Sequence, residues 1–547
     1  MDVGRRSFAS RRSPVLATRG MVATSQPLAA LEGLRVLMDG GNAADAAVTV
    51  AAMLGVVEPM STGVGGDCFA LVWWTSPPAR SETAGRVRGG GEAFALNGSG
   101  RAPAAFTLDE ARRLGLRSIP SDSGLAVTVP GAVAGWEALL RRFGTMTLGE
   151  CLAPAIRAAE QGFAVTPIIA RDWRHAARKL ARDAEAARVY LPAPKAGSIH
   201  RQPDLGRTLR AIAEGGADAF YRGPIARAIA DCVQAHGGFL TADDLATHTA
   251  DWGRPIATTY RGVEVLEHPP NGQGLAALVA LNILEGYDIG GMGYWDAARW
   301  HCMVEAVRLG LAEALTHVGD PAFADVPVAR LLSREHADAL RSRIRPDAVL
   351  DLSAPTVPAS RDTVYISVVD GAGNAVSFIN SLFHPFGSGI VVLGTGICLH
   401  NRGTSFRLEP GHPNVLAGGK RPYHTIIPAL ALRDGRLWLC FGVMGAFMQP
   451  QGHVQVLVNM VDFGMDPQAA LDAPRFRVDE QGSRRVDVER TAPLGLRKAL
   501  ATLGHDVQAT VFGEWFFGGG QVIAVDPETG ALWGGSDPRK DGCAVGW

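Results

Sequence analysis

The chain lacks the charge asymmetry, the long apolar runs and the signal sequence that mark several large classes of protein. Its 53 Lys and Arg residues nearly balance its 54 Asp and Glu residues, and they form no basic stripe, so we expect no nucleic-acid partner. The longest apolar stretches, such as residues 46–57, are too short and too interrupted to span a bilayer. Four arginines near the N-terminus stand without the apolar core of a secretory signal, so we expect a cytoplasmic protein with no membrane partner.

Cysteine pairs and the common motifs of metal and nucleotide sites are also missing. The seven cysteines are scattered and include no CxxC pair, which favours reduced thiols over a disulfide or zinc framework. Neither Gly-x-Ser-x-Gly nor His-Glu-x-x-His occurs. Gly419-Lys420-Arg421 lacks the Ser or Thr of a phosphate loop, and Gly518-Gly519-Gly520 precedes a strand rather than a helix.

The 547 residues exceed what one compact core usually holds, and the chain divides into a helix-rich front and a strand-rich back. Apolar periodicity predicts helices at 28–38, from 43, and at 132–143, 148–161, 205–215, 225–236, 295–318 and 453–461. Strands are predicted at 68–74, 260–268, 363–370, 374–382, 389–392, 397–400, 426–432, 436–442 and 521–525. We interpret residues 75–93 as an exposed insertion and residues 345–361 as a Pro-rich, mobile linker. Together these segments predict an α+β layered architecture.

Thr363 follows this linker, separated from it only by Asp362. It begins an apolar, alternating run, and the Gly371–Asn374 segment after that run is typical of a hairpin turn. On these residues alone, Thr363 is the first residue of an ordinary buried strand.

An ordered set of short motifs gives Thr363 a second interpretation. The motifs are Gly40-Gly41-Asn42-Ala43-Ala44-Asp45, Val57-Glu58-Pro59, Gly63-Val64-Gly65-Gly66, Leu152-Ala153-Pro154, Asp362-Thr363, Gly373-Asn374-Ala375-Val376-Ser377, Phe386-Gly387-Ser388-Gly389, Gly419-Lys420-Arg421-Pro422, Asp462-Phe463-Gly464 and Ala473-Pro474-Arg475. In this order and spacing, over roughly residues 19–543, the chain resembles the γ-glutamyltransferase family of N-terminal-nucleophile hydrolases.

The resemblance implies an α+β fold of four layers, αββα, with two stacked and mainly antiparallel sheets. It also implies self-cleavage of the Asp362–Thr363 bond into a large subunit, 1–362, and a small subunit, 363–547. The two subunits would stay intertwined in one globular domain as a heterodimer, with a dimer of heterodimers as a further option. No metal and no organic cofactor is required by this chemistry.

The catalytic residues that the resemblance implies are four. Thr363 is the nucleophile, and its new α-amino group is the base, with an ordinary pKa of about 7.7–8.0. Ser381 hydrogen-bonds the nucleophile, and the backbone N–H groups of Gly445 and Ala446 stabilise the oxyanion. Ala446 replaces a family glycine, so this role requires a backbone conformation that alanine tolerates. The alternatives are a polar strand residue for Ser381 and a plain strand-to-helix turn for Gly445 and Ala446.

The residues that would bind the substrate depart from the family pattern. Ser405 stands where γ-glutamyl enzymes have the Asp that holds the α-amino group, and Phe383 replaces an amide side chain. His424 and Thr425 replace a Ser-Ser pair, and Arg101 lies two residues later than the family arginine. Without an acidic partner, a buried ammonium group would be unpaired.

The remaining donors, Arg402, Arg101, His424 and Thr425, favour a substrate with a carboxylate and no adjacent amine. This pattern of substitutions resembles that of the oxamate-amidohydrolase branch of the family. In that branch, a small carboxylate-bearing amide is hydrolysed to an acid and ammonia. A surface ion pair for Arg402 and a core role for His424 are the structural alternatives. As functions, a γ-glutamyltransferase or glutathione hydrolase with an altered pocket and a processed, non-catalytic scaffold remain open.

Overall fold

The structure is a computed structural model that describes residues 12–75, 90–352, 362–479 and 483–547. Most of the insertion expected at 75–93, and the part of the expected linker from 353 onwards, lie outside the described residues. Within the described ranges, no helix combines the length and the apolar character needed to cross a membrane.

In the described residues, most helices precede residue 362 and most strands follow it. The helices are α1 (Pro27–Met38), α2 (Ala43–Val57), α3 (Leu108–Arg113), α4 (Ala132–Phe143), α5 (Leu148–Gln161), α6 (Pro167–Leu180), α7 (Ala184–Tyr190), α8 (Pro203–Tyr221), α9 (Pro224–Ala235), α10 (Ala242–Ala246), α11 (Gly274–Leu284), α12 (Ala297–His317), α13 (Val328–Leu331), α14 (Arg334–Arg341), α15 (Met448–Val461), α16 (Pro467–Asp472) and α17 (Leu494–Thr502). The strands are β1 (Val15–Ala17), β2 (Met21–Thr24), β3 (Asp67–Trp74), β4 (Glu92–Gly98), β5 (Phe163–Ala164), β6 (Ile199–His200), β7 (Asp251–Gly253), β8 (Ile256–Tyr260), β9 (Val263–Glu267), β10 (Asp362–Val369), β11 (Ala375–Phe383), β12 (Val391–Val392), β13 (Ile397–Cys398), β14 (Ala429–Arg433), β15 (Arg436–Met444), β16 (Phe476–Val478), β17 (Arg485–Glu489), β18 (Asp506–Thr510), β19 (Gly519–Val525), β20 (Leu532–Ser536) and β21 (Cys543–Gly546).

Two seven-stranded sheets form the centre of the molecule. Sheet I has the order β1-β20-β19-β15-β14-β9-β8, and sheet II has the order β21-β2-β10-β11-β3-β4-β7. Each neighbouring pair in both sheets is antiparallel. Each sheet combines strands from both sides of the Asp362–Thr363 bond, so the two predicted subunits share both sheets.

Helices cover the outer faces of both sheets, and three apolar cores separate the four layers. Helices α1, α2 and α4 pack on sheet II, and helices α11, α15 and α16 pack on sheet I. One core lies under each helical layer, and a third lies between the sheets, where Leu71, Val369 and Ile523 are buried together. The expected four-layer αββα fold with antiparallel sheets is confirmed.

Local sequence signals explain many of the helix ends. Asn42 caps α2 through a capping box with Asp45, and Thr147 caps α5 through a capping box with Glu150. These reciprocal hydrogen bonds satisfy backbone donors that a helix start otherwise leaves unpaired. The helices predicted at 132–143 and 148–161 are confirmed at both ends.

The strand predicted over 260–268 is wrong as a single element. The chain forms β8 up to Tyr260, turns at Arg261 and Gly262, and returns as β9. Both turn residues have positive φ angles, 51° and 78°, which a continuous strand does not contain. The prediction of one clear helix after 363 is also incomplete, because α16 and α17 follow α15.

Candidate active site

Thr363 lies at the start of β10, in the middle of sheet II and facing sheet I. Asp362 pairs with Phe383 and Val364 pairs with Asn380, so Thr363 of β10 lies opposite two residues of β11, Ser381 and Leu382, and the bulge is on β11. The side chain of Thr363 is buried. A bulge redirects a side chain out of the regular pleat, which is a common device beside active sites.

The hydroxyl of Thr363 contacts a second hydroxyl on the next strand. Thr363 Oγ1 and Ser381 Oγ are 3.0 Å apart. Ser381 Oγ also accepts hydrogen bonds from the Phe383 N–H at 2.9 Å and from Arg402 Nη2 at 3.4 Å. In the contact between the two hydroxyls, either oxygen can be the donor. The predicted contact between these two side chains is therefore present.

Arg402 is a fully buried cation that lies two hydrogen bonds from Thr363. Its Nη1 donates to Thr425 Oγ1 at 2.8 Å, and its guanidinium lies 4.0 Å from the centre of the Phe383 ring. Burial lowers the pKa of Arg402 to about 9, against the opposing effect of the Asp67 charge. The alternative of a surface ion pair does not fit this position.

Asp67, which sequence reasoning missed, is the negative charge of the site. Its Oδ2 lies 3.0 Å from His424 Nε2, 3.2 Å from His400 Nδ1 and 3.9 Å from Arg402 Nε. Burial alone would raise the pKa of Asp67, but its interactions with His400 and then with His424 hold that pKa well below its usual range. The site thus contains a buried carboxylate that is already paired with cations and donors.

His424 takes part in this cluster as a neutral donor. Burial, followed by the nearby Arg402 charge, lowers the pKa of His424 to about 3. Its Nε2 therefore carries the hydrogen that Asp67 accepts. His400, at the start of the segment that contains Arg402, bonds through Nε2 to the Thr128 carbonyl at 2.8 Å and presents Nδ1 to Asp67.

The turn that is predicted to bind the oxyanion, Gly445 and Ala446, is called the oxyanion turn below and follows β15 in sheet I. Met444, just before it, packs with Tyr365 between the sheets, which brings the turn to the Thr363 end of β10. Gly445 and Ala446 have φ angles of 130° and 54°. Across the described part of the chain, neither backbone N–H of this turn has a hydrogen-bond acceptor. Two unpaired N–H groups that follow each other are suited to bind an oxyanion.

The turn is connected to the Arg402 side of the site through Gln273, which sequence reasoning also missed. Gln273 Nε2 donates to the Thr425 carbonyl at 2.7 Å and to the Ala446 carbonyl at 2.8 Å. The only sequence signal at this position is the turn-forming Asn271-Gly272 pair before α11.

The other predicted substrate-binding residues occupy two places. Ser405 ends the short 3-10 helix that starts at Arg402, and its hydroxyl has no hydrogen-bond partner among the described residues. It lines a small cavity together with Phe383, Tyr423 and Phe447. Arg101 lies elsewhere, in an ion pair with Asp251 at 3.1 Å that is separate from the Arg402 cluster.

One further set of side chains has the composition of a metal site. The ligand atoms of His301, Glu305 and His505 all lie within 4.8 Å of one another. However, His301 Nδ1 is hydrogen-bonded to His505 Nε2 at 2.8 Å, and Glu305 forms an ion pair with Arg308 at 2.8 Å. His301 and Glu305 are thus already paired, and within the described residues none of the three side chains has a hydrogen bond or ion pair to the Thr363 cluster.

The sequence matches a known family over nearly its whole length. Residues 29–547 match the family described as Gamma-glutamyltranspeptidase. A glutathione hydrolase-like YwrD proenzyme from Bacillus subtilis is 37% identical over 97% of this chain and 99% of its own length. An oxamate amidohydrolase proenzyme from Klebsiella pneumoniae is 35% identical over 97% of this chain and 99% of its own length.

The fold is also that of a solved relative. The crystal structure of a cephalosporin acylase from Bacillus halodurans superposes with a TM-score of 0.90 at 42% sequence identity, covering 100% of this chain and 99% of that chain. These three relatives are named after different substrates.

Proposed function

The chain belongs to the gamma-glutamyltranspeptidase family and is a hydrolase of amide C–N bonds, and on that premise we propose a self-processing amidohydrolase of small carboxylate-bearing amides such as oxamate. The described relatives are proenzymes, which agrees with a self-processing chain. The proposal assigns the nucleophile to Thr363 and the selection of the acyl group to Arg402.

Self-processing begins at the Asp362–Thr363 peptide bond. Thr363 Oγ1 attacks the carbonyl carbon of Asp362, and the hydroxyl proton of Thr363 passes to the peptide nitrogen as the C–N bond breaks, so that this nitrogen becomes the α-amino group of Thr363. Water then hydrolyses the resulting ester, releasing the carboxyl end of residues 1–362 and the free Thr363 hydroxyl. Ser381 supports the step because its hydroxyl oxygen lies 3.0 Å from Thr363 Oγ1, where it can relay the hydroxyl proton of Thr363.

Catalysis on an external amide repeats this chemistry with the amine as base. The α-amino group accepts the hydroxyl proton while Thr363 Oγ1 attacks the amide carbon. The negative oxygen of the tetrahedral intermediate binds the N–H groups of Gly445 and Ala446. The proton passes to the leaving nitrogen, ammonia departs, and water hydrolyses the acyl ester to regenerate Thr363.

The observation that carries the substrate proposal is the contact between Arg402 and Ser381. The Arg402 guanidinium touches the hydroxyl that lies next to the nucleophile. A carboxylate bound to this guanidinium would therefore lie one or two bonds from the reacting carbon of the substrate. Oxamate has its carboxylate directly on that carbon. In a γ-glutamyl group, the α-carboxylate lies several bonds farther away.

The residues around Arg402 also weaken the case for an α-ammonium group. Ser405 offers a hydroxyl where the family pattern has an acid, and Phe383 offers a ring under Arg402. Asp67 is an acid nearby, but His400 and His424 already contact it. An ammonium group would therefore lose its hydration without a new charged partner.

A second candidate, an acylase for larger acyl groups, is favoured by the likeness to the solved cephalosporin acylase. Phe383, Tyr423 and Phe447 line the cavity beside Ser405, whose volume of about 10 Å³ would admit a larger acyl chain only if these side chains moved. Here the cavity, rather than Arg402, would determine which acyl group binds.

A chain-length panel tests the two candidates together. Purified, processed protein is assayed with the monoamides of oxalic, malonic, succinic and glutaric acids, and also with a γ-glutamyl anilide, glutathione and an N-acylated cephalosporin. The proposal expects kcat/KM to be highest for the oxalic or malonic monoamide. A maximum for the cephalosporin favours the second candidate, and a maximum for the anilide or glutathione contradicts both.

A further inference from the structure

Gln273 is a fully buried side chain at the start of α11 whose amide connects two parts of the active site. Both hydrogens of its Nε2 are used, one on the carbonyl of Thr425 and one on the carbonyl of Ala446. Its Oε1 accepts the Tyr423 hydroxyl at 3.2 Å. The amide has no rotational freedom left, because each of its polar atoms has a partner.

The two carbonyls that Gln273 binds belong to the two halves of the site. Thr425 holds Arg402 through its hydroxyl, and Ala446 supplies one N–H of the oxyanion turn. Ala446 also has a positive φ of 54°, a conformation that alanine does not retain without external contacts. One side chain therefore ties the position of the oxyanion donors to the position of the carboxylate anchor.

We propose that Gln273 is a positioning residue that holds the oxyanion turn at a fixed distance from the Arg402 anchor. The inference rests on the proposed function, because it assumes that the Gly445 and Ala446 N–H groups bind the oxyanion. Gln273 itself does not contact the reacting atoms. Its effect on the rate arises because a small displacement of an oxyanion donor lowers the rate strongly.

Substitution of Gln273 by glutamate should make activity depend on pH in a way that is not expected if Gln273 has a purely structural role. In Gln273→Glu, an ionised carboxylate would face the Thr425 and Ala446 carbonyl oxygens and repel both. The protonated form can donate to one of them, and burial raises the pKa of such a group. Acidification should therefore restore part of the lost activity in this variant.

Gln455 provides a matched control on α15. Its Nε2 also donates to two backbone carbonyls, those of Gln451 and Phe476, each at 3.0 Å, and its Oε1 accepts the Phe476 N–H at 3.0 Å. It is buried like Gln273 but binds neither Thr425 nor the oxyanion turn. Changes at Gln455 thus report the general cost of losing a buried amide.

The experiment compares Gln273→Met, Gln273→Glu, Gln455→Met and Gln455→Glu with the wild type. We measure kcat and KM from pH 5 to 8 on whichever amide the wild type hydrolyses best, together with the unfolding temperature of each variant. We expect kcat of Gln273→Met to fall by about 10- to 100-fold, with both Gln455 variants within threefold of the wild type. The ratio of kcat for Gln273→Glu to wild-type kcat should rise as the pH falls.

A kcat for Gln273→Met within threefold of the wild type would overturn the inference. If Gln273→Met does not fold, a pH-independent kcat ratio for folded Gln273→Glu overturns it instead. The proposed substrate can fail separately: if only the γ-glutamyl anilide is hydrolysed, the comparison is made on the anilide. The role of Gln273 is then still tested, since oxyanion binding does not depend on the acyl group.

Discussion

Ala446 and Phe383 have positive φ angles of 54° and 77°, and both residues belong to the candidate active site. Such angles are costly for residues with a Cβ atom and persist only where surrounding contacts impose them. For Ala446, the contacts are hydrogen bonds to its carbonyl from Gln273 Nε2 and from the Gln449 N–H at 3.1 Å. Phe383 is held because its N–H donates to Ser381.

The strain at Ala446 leads to a stability prediction. Ala446→Gly should increase the free energy of unfolding by about 0.5–1 kcal/mol, because glycine avoids the steric cost of a left-handed φ but loses more chain entropy. Activity should stay within threefold, because the N–H remains in place. Urea unfolding gives the comparison, with Ala51→Gly inside α2 as the control that should be destabilised. A loss of stability in Ala446→Gly would contradict the strained conformation.

Arg402 supports a prediction about substrate binding. Arg402→Gln should lower kcat/KM for the monoamide of oxalic acid by about 100-fold, because a buried, charge-assisted carboxylate contact is worth about 3 kcal/mol. Arg433→Gln is the control, since Arg433 also stacks on an aromatic ring, Trp438, but lies on the β14–β15 hairpin. If both substitutions lower kcat/KM by an equally small factor, Arg402 does not take part in substrate recognition.

At the scale of elements, β10 is held between its neighbours in sheet II and β15 of sheet I. Tyr365 of β10 lies directly over Gly442 of β15: a Cβ atom at Gly442 would meet the Tyr365 ring at 2.5 Å. The close approach lets β10, which begins with the predicted nucleophile, pack without a gap on β15, which precedes the oxyanion turn. The contact between Gly442 and Tyr365 should therefore affect both stability and catalysis.

Gly442→Ala should lower the free energy of unfolding by about 1–3 kcal/mol, because the added methyl group forces the two sheets apart. It should also reduce kcat, because Thr363 and the oxyanion turn would separate. Chemical unfolding and steady-state kinetics test both effects. Gly253→Ala, where a Cβ atom meets nothing within 4 Å, should change neither quantity. A neutral Gly442→Ala would show that the sheets tolerate the methyl group.

The sequence could predict elements whose signals are local. The helices at 132–143 and 148–161 were predictable from apolar periodicity, and Thr147 also marks the start of the second helix. The turn at Arg261 and Gly262 was missed because the apolar residues continue on both sides of it. Among the site residues, the Thr363–Ser381 contact could be predicted from the family motifs.

At the scale of the whole molecule, the parts of the site that escaped prediction are those that only the packed sheets bring together. Asp67 begins β3, whereas its partners His400 and His424 lie more than 300 residues away along the chain. Gln273 reaches residues on either side of β14 and β15. No periodicity or spacing in the chain encodes such contacts, and only the antiparallel arrangement of both sheets creates them.

Deep burial of histidines predicts how the molecule responds to acid. Burial lowers the pKa of His268 to about 4 and of His424 and His505 to about 3. These groups are neutral when folded but bind protons near their ordinary pKa of about 6.5 when unfolded. The free energy of unfolding should therefore fall as the pH drops from about 6.5 towards 4. Each of these histidines should contribute up to about 1.4 kcal/mol to this fall for each pH unit.

Urea unfolding of the uncut Thr363→Ala chain at pH 7.5, 6 and 5 measures this dependence without separation of subunits. Replacing one of the three, as in His505→Gln, should reduce the slope of stability against pH. A stability that is constant from pH 7.5 to 5 would contradict the neutral, buried state of these histidines.

The central claim is that Thr363 is released as an N-terminal nucleophile, and intact-mass spectrometry of the purified wild type after incubation tests it most directly. We predict two fragments, with masses matching residues that end at Asp362 and residues 363–547, and a single uncut chain for Thr363→Ala. A wild-type chain that remains uncut, or a small fragment that begins at any residue other than Thr363, would contradict the account.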